Sequence, residues 1–390
     1  MHRRRAERAR ILVVDSPEFG EVNSTLLRST PELDCVGVAS DWNSAQSMLA
    51  TNRPEAVILG VEPSQAESLR SFETVLASHP IPVLALTDDR PASAELTLNA
   101  LEHGALDFVV RPRSPQLCDF RLRDELRVRL RGLRACDLQS QLGRQEAGDR
   151  LAGSRLQTGS RDAIRGGQCP SSGETEQRIV VVGAGVGGPR ALLRLFRQLR
   201  APLPPMVVAQ NLPANFIEAL SHRLNALSPV RCKVAETGDT LQPNTAYFAP
   251  ARQQTVVVRS EGRPTLLVHS DERSNPLQPS PSVDVLMQSA AMAFGSKCLG
   301  VLLTGNGRDG VEGARAIGVA GGFVLGQDAR SSFASGTTRL ALALNYIDRQ
   351  FHLDDVAEAL NAVSPYLGRP EIAVVRSPIV DPGPLHACAS

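Results

Sequence analysis

Short, continuous apolar runs rich in branched residues recur along this chain, each separated from the next by a helix-length segment. In the first third they are RILVV at 10–14, CVGVA at 35–39, AVILGV at 56–61, PVLAL at 82–86 and DFVV at 107–110. A strand with one wet face alternates apolar and polar residues, so an unbroken run of this length marks a strand covered on both faces. Such strands alternating with helices imply parallel sheets wrapped by helices. The pattern resumes at 178 with RIVVVGAG and continues through MVVAQN at 206–211 and CLGVLLTG at 298–305. The expected fold class is therefore α/β, in two domains, each a mainly parallel sheet with helices on both faces.

The 390 residues suit two or three domains, at roughly 100–200 residues per domain. Residues 8–133 form the first expected domain and 178–366 the second. The stretch 134–177 is rich in Gly, Ser, Gln and charge, the composition of a flexible linker. Residues 367–390 contain several prolines and are expected to be a poorly ordered tail.

Composition removes several function classes. There are 42 basic and 41 acidic residues, a net charge of +1, which does not favour a nucleic-acid partner. No run of 18 apolar residues exists, so no membrane insertion is expected. The start, MHRRRAERARILVVD, lacks the apolar stretch and cleavage site of a secretory signal, so the expected location is cytoplasmic. Seven cysteines are scattered, without a CxxC, and match neither a zinc ligand set nor a disulfide framework. They read as buried or incidental thiols.

In doubly wound folds the chemistry sits at the carboxyl ends of the strands. In the first domain those ends carry Asp15-Ser16, Gly60, Thr87 and Arg111-Pro112. This series resembles a two-component receiver domain of the flavodoxin-like fold. In that family two acids end the first strand and hold magnesium, an aspartate ending the third accepts phosphate, and the fourth and fifth end in Thr or Ser and in Lys-Pro. By position, Asp15 keeps one acid and Ser16 replaces the other. Gly60 stands at the phosphoacceptor, Thr87 is kept, and Arg111 replaces the lysine. Glycine can neither attack a phosphoryl donor nor ligate a metal, and one carboxylate is a poor magnesium cage. Arginine's fork is not equivalent to a lysine's point charge. The expectation is a pseudo-receiver with no bound metal and no phosphorylation. Asp88 and Asp89, just past the fourth strand, read as solvated surface acids.

In the second domain Gly183, Gly185 and Gly188 satisfy GxGxxG between a strand and a helix. The full dinucleotide fingerprint needs an acid at the end of the next strand, and that strand ends in Gln210 and Asn211. No cofactor is expected. The whole stretch from about 178 to 350 instead resembles the catalytic domain of the CheB family, the chemotaxis receptor methylesterases, with a Rossmann-like fold. GAGVGG matches a family loop reading Gly-Ala-Ser-Thr-Gly-Gly, and AQNLP matches Gln-His-Met-Pro. NTAYFAP at 244–250, PSVDVL at 281–286 and LTGNGRDG at 303–310 follow in order. Receiver, linker and esterase domain are also the family's domain order.

The resemblance implies hydrolysis of glutamate methyl esters and deamidation of glutamines on chemoreceptors, through serine, histidine and aspartate. Here the serine position is Gly185, the histidine position is Asn211, and only Asp309 keeps the family residue. Glycine cannot form an acyl-enzyme, and an asparagine amide is no general base near neutral pH. Asp309 is expected to serve the turn before GVEGARAIG, as a cap of that helix. The neighbouring pairs Ser221-His222 and His269-Ser270 are poorly placed as substitutes, because adjacent residues point apart on both helices and strands. The expected function is a catalytically silent chemotaxis signalling protein that binds chemoreceptor cytoplasmic tails or other chemotaxis proteins. The alternative is an active methylesterase or deamidase with a non-standard nucleophile.

Overall fold

The computed structural model describes residues 8–63, 68–135, 177–270 and 280–363. Nearly all of the expected linker and the whole expected tail lie outside the described residues, as do Cys136, Cys169 and Cys388.

The first domain runs β1 (Ala9–Val14), α1 (Pro17–Arg28), β2 (Leu33–Ala39), α2 (Trp42–Asn52), β3 (Ala56–Val61), α3 (Ser68–Ser78), β4 (Val83–Thr87), α4 (Pro91–Glu102), β5 (Asp107–Val110) and α5 (Phe120–Ala135). Its sheet has the order β2-β1-β3-β4-β5, with every pairing parallel. The runs of β1, β3, β4 and β5 are strands covered on both faces, and in β1 Leu12 and Val14 enter one core cluster while Ile11 and Val13 enter the other; β2 departs from the expectation, because it is the edge strand and leaves Val38 36% exposed. The strand order reverses between β1 and β3, so their carboxyl ends border the crevice where ligand groups collect in such folds.

The second domain runs β6 (Ile179–Ala184), α6 (Gly188–Gln198), β7 (Met206–Gln210), α7 (Ala214–Leu227), β8 (Arg231–Val234), β9 (Thr245–Phe248), β10 (Gln254–Ser260), β11 (Arg263–His269), α8 (Val283–Phe294), β12 (Cys298–Leu302), α9 (Val311–Val319), β13 (Phe323–Gln327), α10 (Gly336–Ala343), β14 (Arg349–Phe351) and α11 (Leu353–Asn361). Seven parallel strands are ordered β14-β13-β12-β6-β7-β9-β8, and β10 and β11 form a separate antiparallel hairpin. Helix α6 forms because its Leu192, Leu195 and Phe196 fall on one face at helical spacing, with Pro189 in the first turn. All three are buried. Cys35, Cys232 and Cys298 are buried thiols and Cys118 is half-buried.

The two domains share a core. Phe108 of β5 stacks on Phe216 of α7, with ring centroids 4.6 Å apart and planes 14° from parallel. Beside this stack Glu102, at the end of α4, is almost fully buried and takes Arg223 of α7 and Arg197 of α6. Asn215 of α7 donates to the carbonyl of Asp89 at 2.6 Å. Buried residues of both domains belong to one continuous cluster. The α4–β5–α5 side of the first domain is thereby packed over the strand ends of the second.

Candidate functional site

The first crevice is filled by the protein itself. Asp15, fully buried at the end of β1, is gripped by the guanidinium of Arg111, whose Nη2 lies 3.2 Å from Oδ1 while Nη1 donates to Oδ2. Asn23 of α1 donates to Oδ2 at 3.0 Å, and the Ser16 amide donates to Oδ1 at 2.8 Å. Arg111 also reaches Glu62 at 2.7 Å and lies over the Phe19 ring, 3.5 Å from its centroid. Burial pushes the Asp15 carboxyl above its ordinary value, against the opposing pull of Arg111. A Cβ built on Gly60 would fall inside the Asp15 carboxylate, so this carboxylate occupies the space that any side chain at position 60 would need.

These residues do not fit magnesium. Both Asp15 oxygens are committed to Arg111, Asn23 and the Ser16 amide, and the cation opposite them is a guanidinium, not a metal cradled by free oxygens. Thr87 is buried at the end of β4, its hydroxyl turned to the Asp88 carbonyl at 3.4 Å. Sequence reasoning missed Glu62, Asn23 and Phe19. Glu62 is marked only by following β3 directly, and Asn23 by facing Asp15 from α1. Asp88 corrects the surface reading: it is buried, bound by the Arg90 side chain and 2.9 Å from the Arg90 amide. Asp89 is exposed and pairs with Arg113.

In the second domain Gly185, Asn211 and Asp309 line one cavity of about 800 Å³ at the strand ends, which the first domain helps to wall. Three chain segments converge there. The glycine loop after β6 is tied down by the Gly185 amide, which donates to the Thr304 carbonyl at 2.8 Å. Gln210, at the end of β7, donates to the Gly185 carbonyl at 3.2 Å, and its Oε1 is turned against Gly188, where any Cβ would displace it. That explains glycine at 188: the neighbouring strand's side chain needs the room. Asn211 follows, exposed at the cavity. The third segment, after β12, carries Thr304, whose hydroxyl donates to the Val186 carbonyl at 2.8 Å, and then the turn leading to Asp309.

Asp309 does not cap the helix expected from the sequence. Its Oδ1 accepts from the Ser282 hydroxyl at 2.8 Å and the Asp284 amide at 3.0 Å, and its Oδ2 from the Val283 amide at 2.8 Å. It therefore caps α8. The cap of α9, the GVEGARAIG helix, is Asp284, whose Oδ1 accepts from Gly310 at 2.9 Å and Gly313 at 2.6 Å. Burial pushes the Asp284 carboxyl up, and the nearby Asp309 charge adds to this against the pull of the two amides.

Among the described residues the cavity lining contains no Ser, Cys, His, Lys or Tyr. Its hydroxyls belong to Thr304, already donating to backbone, and Thr337, which donates to the Gly307 carbonyl at 3.1 Å. Ser221 is buried on α7 and His222 beside it is exposed, and neither they nor His269 and Ser270 reach the cavity. Among the described residues no group of three or more His, Cys, Asp or Glu is arranged to hold a metal. No described helix is long and apolar enough to cross a membrane.

This fold and site define a chemotaxis-type response regulator: a receiver domain packed over the strand-end cavity of an esterase-type α/β domain. The chain belongs to the CheB family, the protein-glutamate methylesterase/protein-glutamine glutaminases. The family model for the CheB methylesterase matches residues 180–360. A protein-glutamate methylesterase/protein-glutamine glutaminase of Anaeromyxobacter dehalogenans is 34% identical over 361 residues, covering 91% of this chain and 96% of the relative. One from Caulobacter vibrioides is 32% identical, with 90% and 96% covered. The crystal structure of the Thermotoga maritima CheB methylesterase catalytic domain shares 30% identity, with 47% of this chain and 97% of that one covered and a TM-score of 0.45.

Proposed function

We propose that this protein is a catalytically silent member of the family that acts by binding, presenting its esterase-type domain to chemoreceptor tails or other chemotaxis proteins without hydrolysing them. The observation that carries the reading is the cavity lining: Gly185, Asn211 and Asp309 meet there with no serine, cysteine or imidazole among the described lining residues. Acyl transfer by this route needs a nucleophile within hydrogen-bond reach of a base. In a well-studied serine protease the loss of either lowers turnover by about 10⁶. The first domain, with Gly60 at the phosphoacceptor position and Asp15 paired to Arg111, supports a receiver that is not phosphorylated.

The test is methanol release from membranes carrying methylated chemoreceptors, comparing the native protein with the Gly185→Ser/Asn211→His double variant. A Cβ at 185 would lie 3.0 Å from the Gly305 Cα, so the loop must yield by only a few tenths of an ångström to admit serine. The expected result is no release by the native protein, measurable release by the variant, and binding of receptor tails by both. Methanol release by the native protein overturns the reading in favour of an active enzyme with another nucleophile.

A further inference from the structure

One phenylalanine of the second domain is built into the core of the first. Phe333 lies between β13 and α10 and is 6% exposed. The other buried members of its cluster all belong to the first domain, Leu122, Leu126, Leu130 and Leu133 of α5 among them. The ring lies against Gly132 of α5, where a Cβ would come within 2.9 Å of it. On its other side the Phe333 Cβ takes the room that any side chain at Gly187 would need. Val186 of the glycine loop and Ala334 pack on the same cluster.

Hydrogen bonds lace this segment to both loops of the cavity. The Thr304 hydroxyl donates to the Val186 carbonyl at 2.8 Å and accepts from the Ala334 amide at 2.9 Å. The Gly305 amide donates to the Ala334 carbonyl at 2.7 Å. Upstream, the Gln327 side chain accepts from the Thr304 amide and donates to the Ser331 carbonyl, both at 2.8 Å. Residues 331–335, SSFAS, thus form a strap joined to the glycine loop and the turn at 304–307 by polar bonds inside the second domain. Its one large apolar side chain is buried against the other domain instead. Were α5 to move away, the Phe333 ring would face water and that part of the hold would be lost.

We propose that residues 331–335 are a strap that the first domain holds shut over the cavity loops, with Phe333 as its pin. Seating of the ring against α5 fixes the glycine loop and the 304–307 turn together, and withdrawal of the ring frees both. Phe333 is a positioning residue, acting on the cavity through Thr304 and Gly187. This deepens the reading of the cavity as a binding site, on which it rests for its purpose, by naming what regulates its loops. Its readout is amide exchange, so methanol release by the native protein would overturn the silent reading and leave the strap standing.

The experiment is hydrogen exchange on the full chain, read by mass spectrometry in peptides covering 183–188, 303–307 and 331–335. Phe333→Ala deletes a buried ring, and exchange in all three peptides should accelerate by about tenfold or more. Peptides from α3 and β8, which contribute nothing to the Phe333 cluster, should keep native rates. Gly132→Leu sets a side chain in the seat of the ring from the other domain. It should accelerate the same three peptides, although leucine favours the helix of α5 itself. This variant decides the matter if Phe333→Ala does not fold. Acceleration confined to 331–335, native rates in both cavity loops of Gly132→Leu, or a uniform rise across the whole chain would each overturn the proposal.

Discussion

Asp284 and Asp309 cap each other's helices: the carboxylate of Asp309 accepts the amides of Val283 and Asp284 at the start of α8, and that of Asp284 accepts the amides of Gly310 and Gly313 at the start of α9. Both oxygens of Asp309 are thus engaged in holding the start of α8. Each carboxylate faces the positive end of a helix, where a cap typically contributes about 0.5–2 kcal/mol.

Removing either cap should therefore cost stability. Asp309→Ala and Asp284→Ala should each lower the unfolding free energy by about 1–2 kcal/mol. Asp309→Asn, which keeps one acceptor oxygen, should lose less. Urea unfolding followed by circular dichroism checks this, and an unchanged midpoint for Asp309→Ala would contradict the capping role.

At the other crevice, Gly60→Asp should not create a phosphoacceptor. The new side chain would collide with the buried Asp15 carboxylate and put a second charge beside it, costing about 3 kcal/mol or more. Exposure to acetyl phosphate and magnesium should add no phosphate, as mass spectrometry would register. A stable, phosphorylated Gly60→Asp protein would refute the packing described here.

Asp88 gives a pH prediction with a definite sign. Burial works to raise its carboxyl, but the hydrogen bonds from the Arg90 side chain and the Arg90 amide, with the Arg90 charge, outweigh burial and bring it to about 2 from 3.8. A carboxyl lowered in the folded state contributes stability that is present above its unfolded value and lost as pH falls through the folded one. That contribution should fade between pH 3.8 and about 2. Asp88→Asn should flatten the stability curve in this window, as denaturant titrations at several pH values would reveal.

The shared core predicts coupled unfolding. Native protein should melt in a single calorimetric transition. Phe108→Ala deletes half of the stack on Phe216 and should cost about 3–5 kcal/mol. Combined with Glu102→Ala, which removes the carboxylate shared by Arg197 and Arg223, it should split the melt into two transitions. One unsplit transition in the double variant would mean that the domains are held by something other than this interface.

Much of the scaffold is legible in the sequence, because strands buried on both faces must be written as unbroken apolar runs, as RILVV and RIVVVGAG are. The parallel sheets and the strand-end location of Gly185, Asn211 and Gly60 follow from that pattern and from chain order. What escapes is every feature made by partners distant in sequence. Arg111 meets Asp15 across 96 residues, and Asp309 meets Ser282 across 27. No local spacing encodes either pair. Asp88 escapes for a different reason: its partner Arg90 is only two residues on, but a loop acid is ordinarily solvated and the local sequence does not say that the fold buries it. The family resemblance implies docking of the first domain over the strand ends of the second, but the residues that make the interface escape: Phe108 and Arg129 look like ordinary core and surface residues until the second domain is set against them.

The position of Asp15 over Gly60 also sets how freely each loop can take on a side chain. At Gly185 a Cβ asks a neighbouring turn to yield only slightly. At Gly60 the room is filled, so a side chain there is harmful until Asp15 and Arg111 have first let go of each other. Position 60 can therefore change only together with its partners, whereas position 185 can change alone.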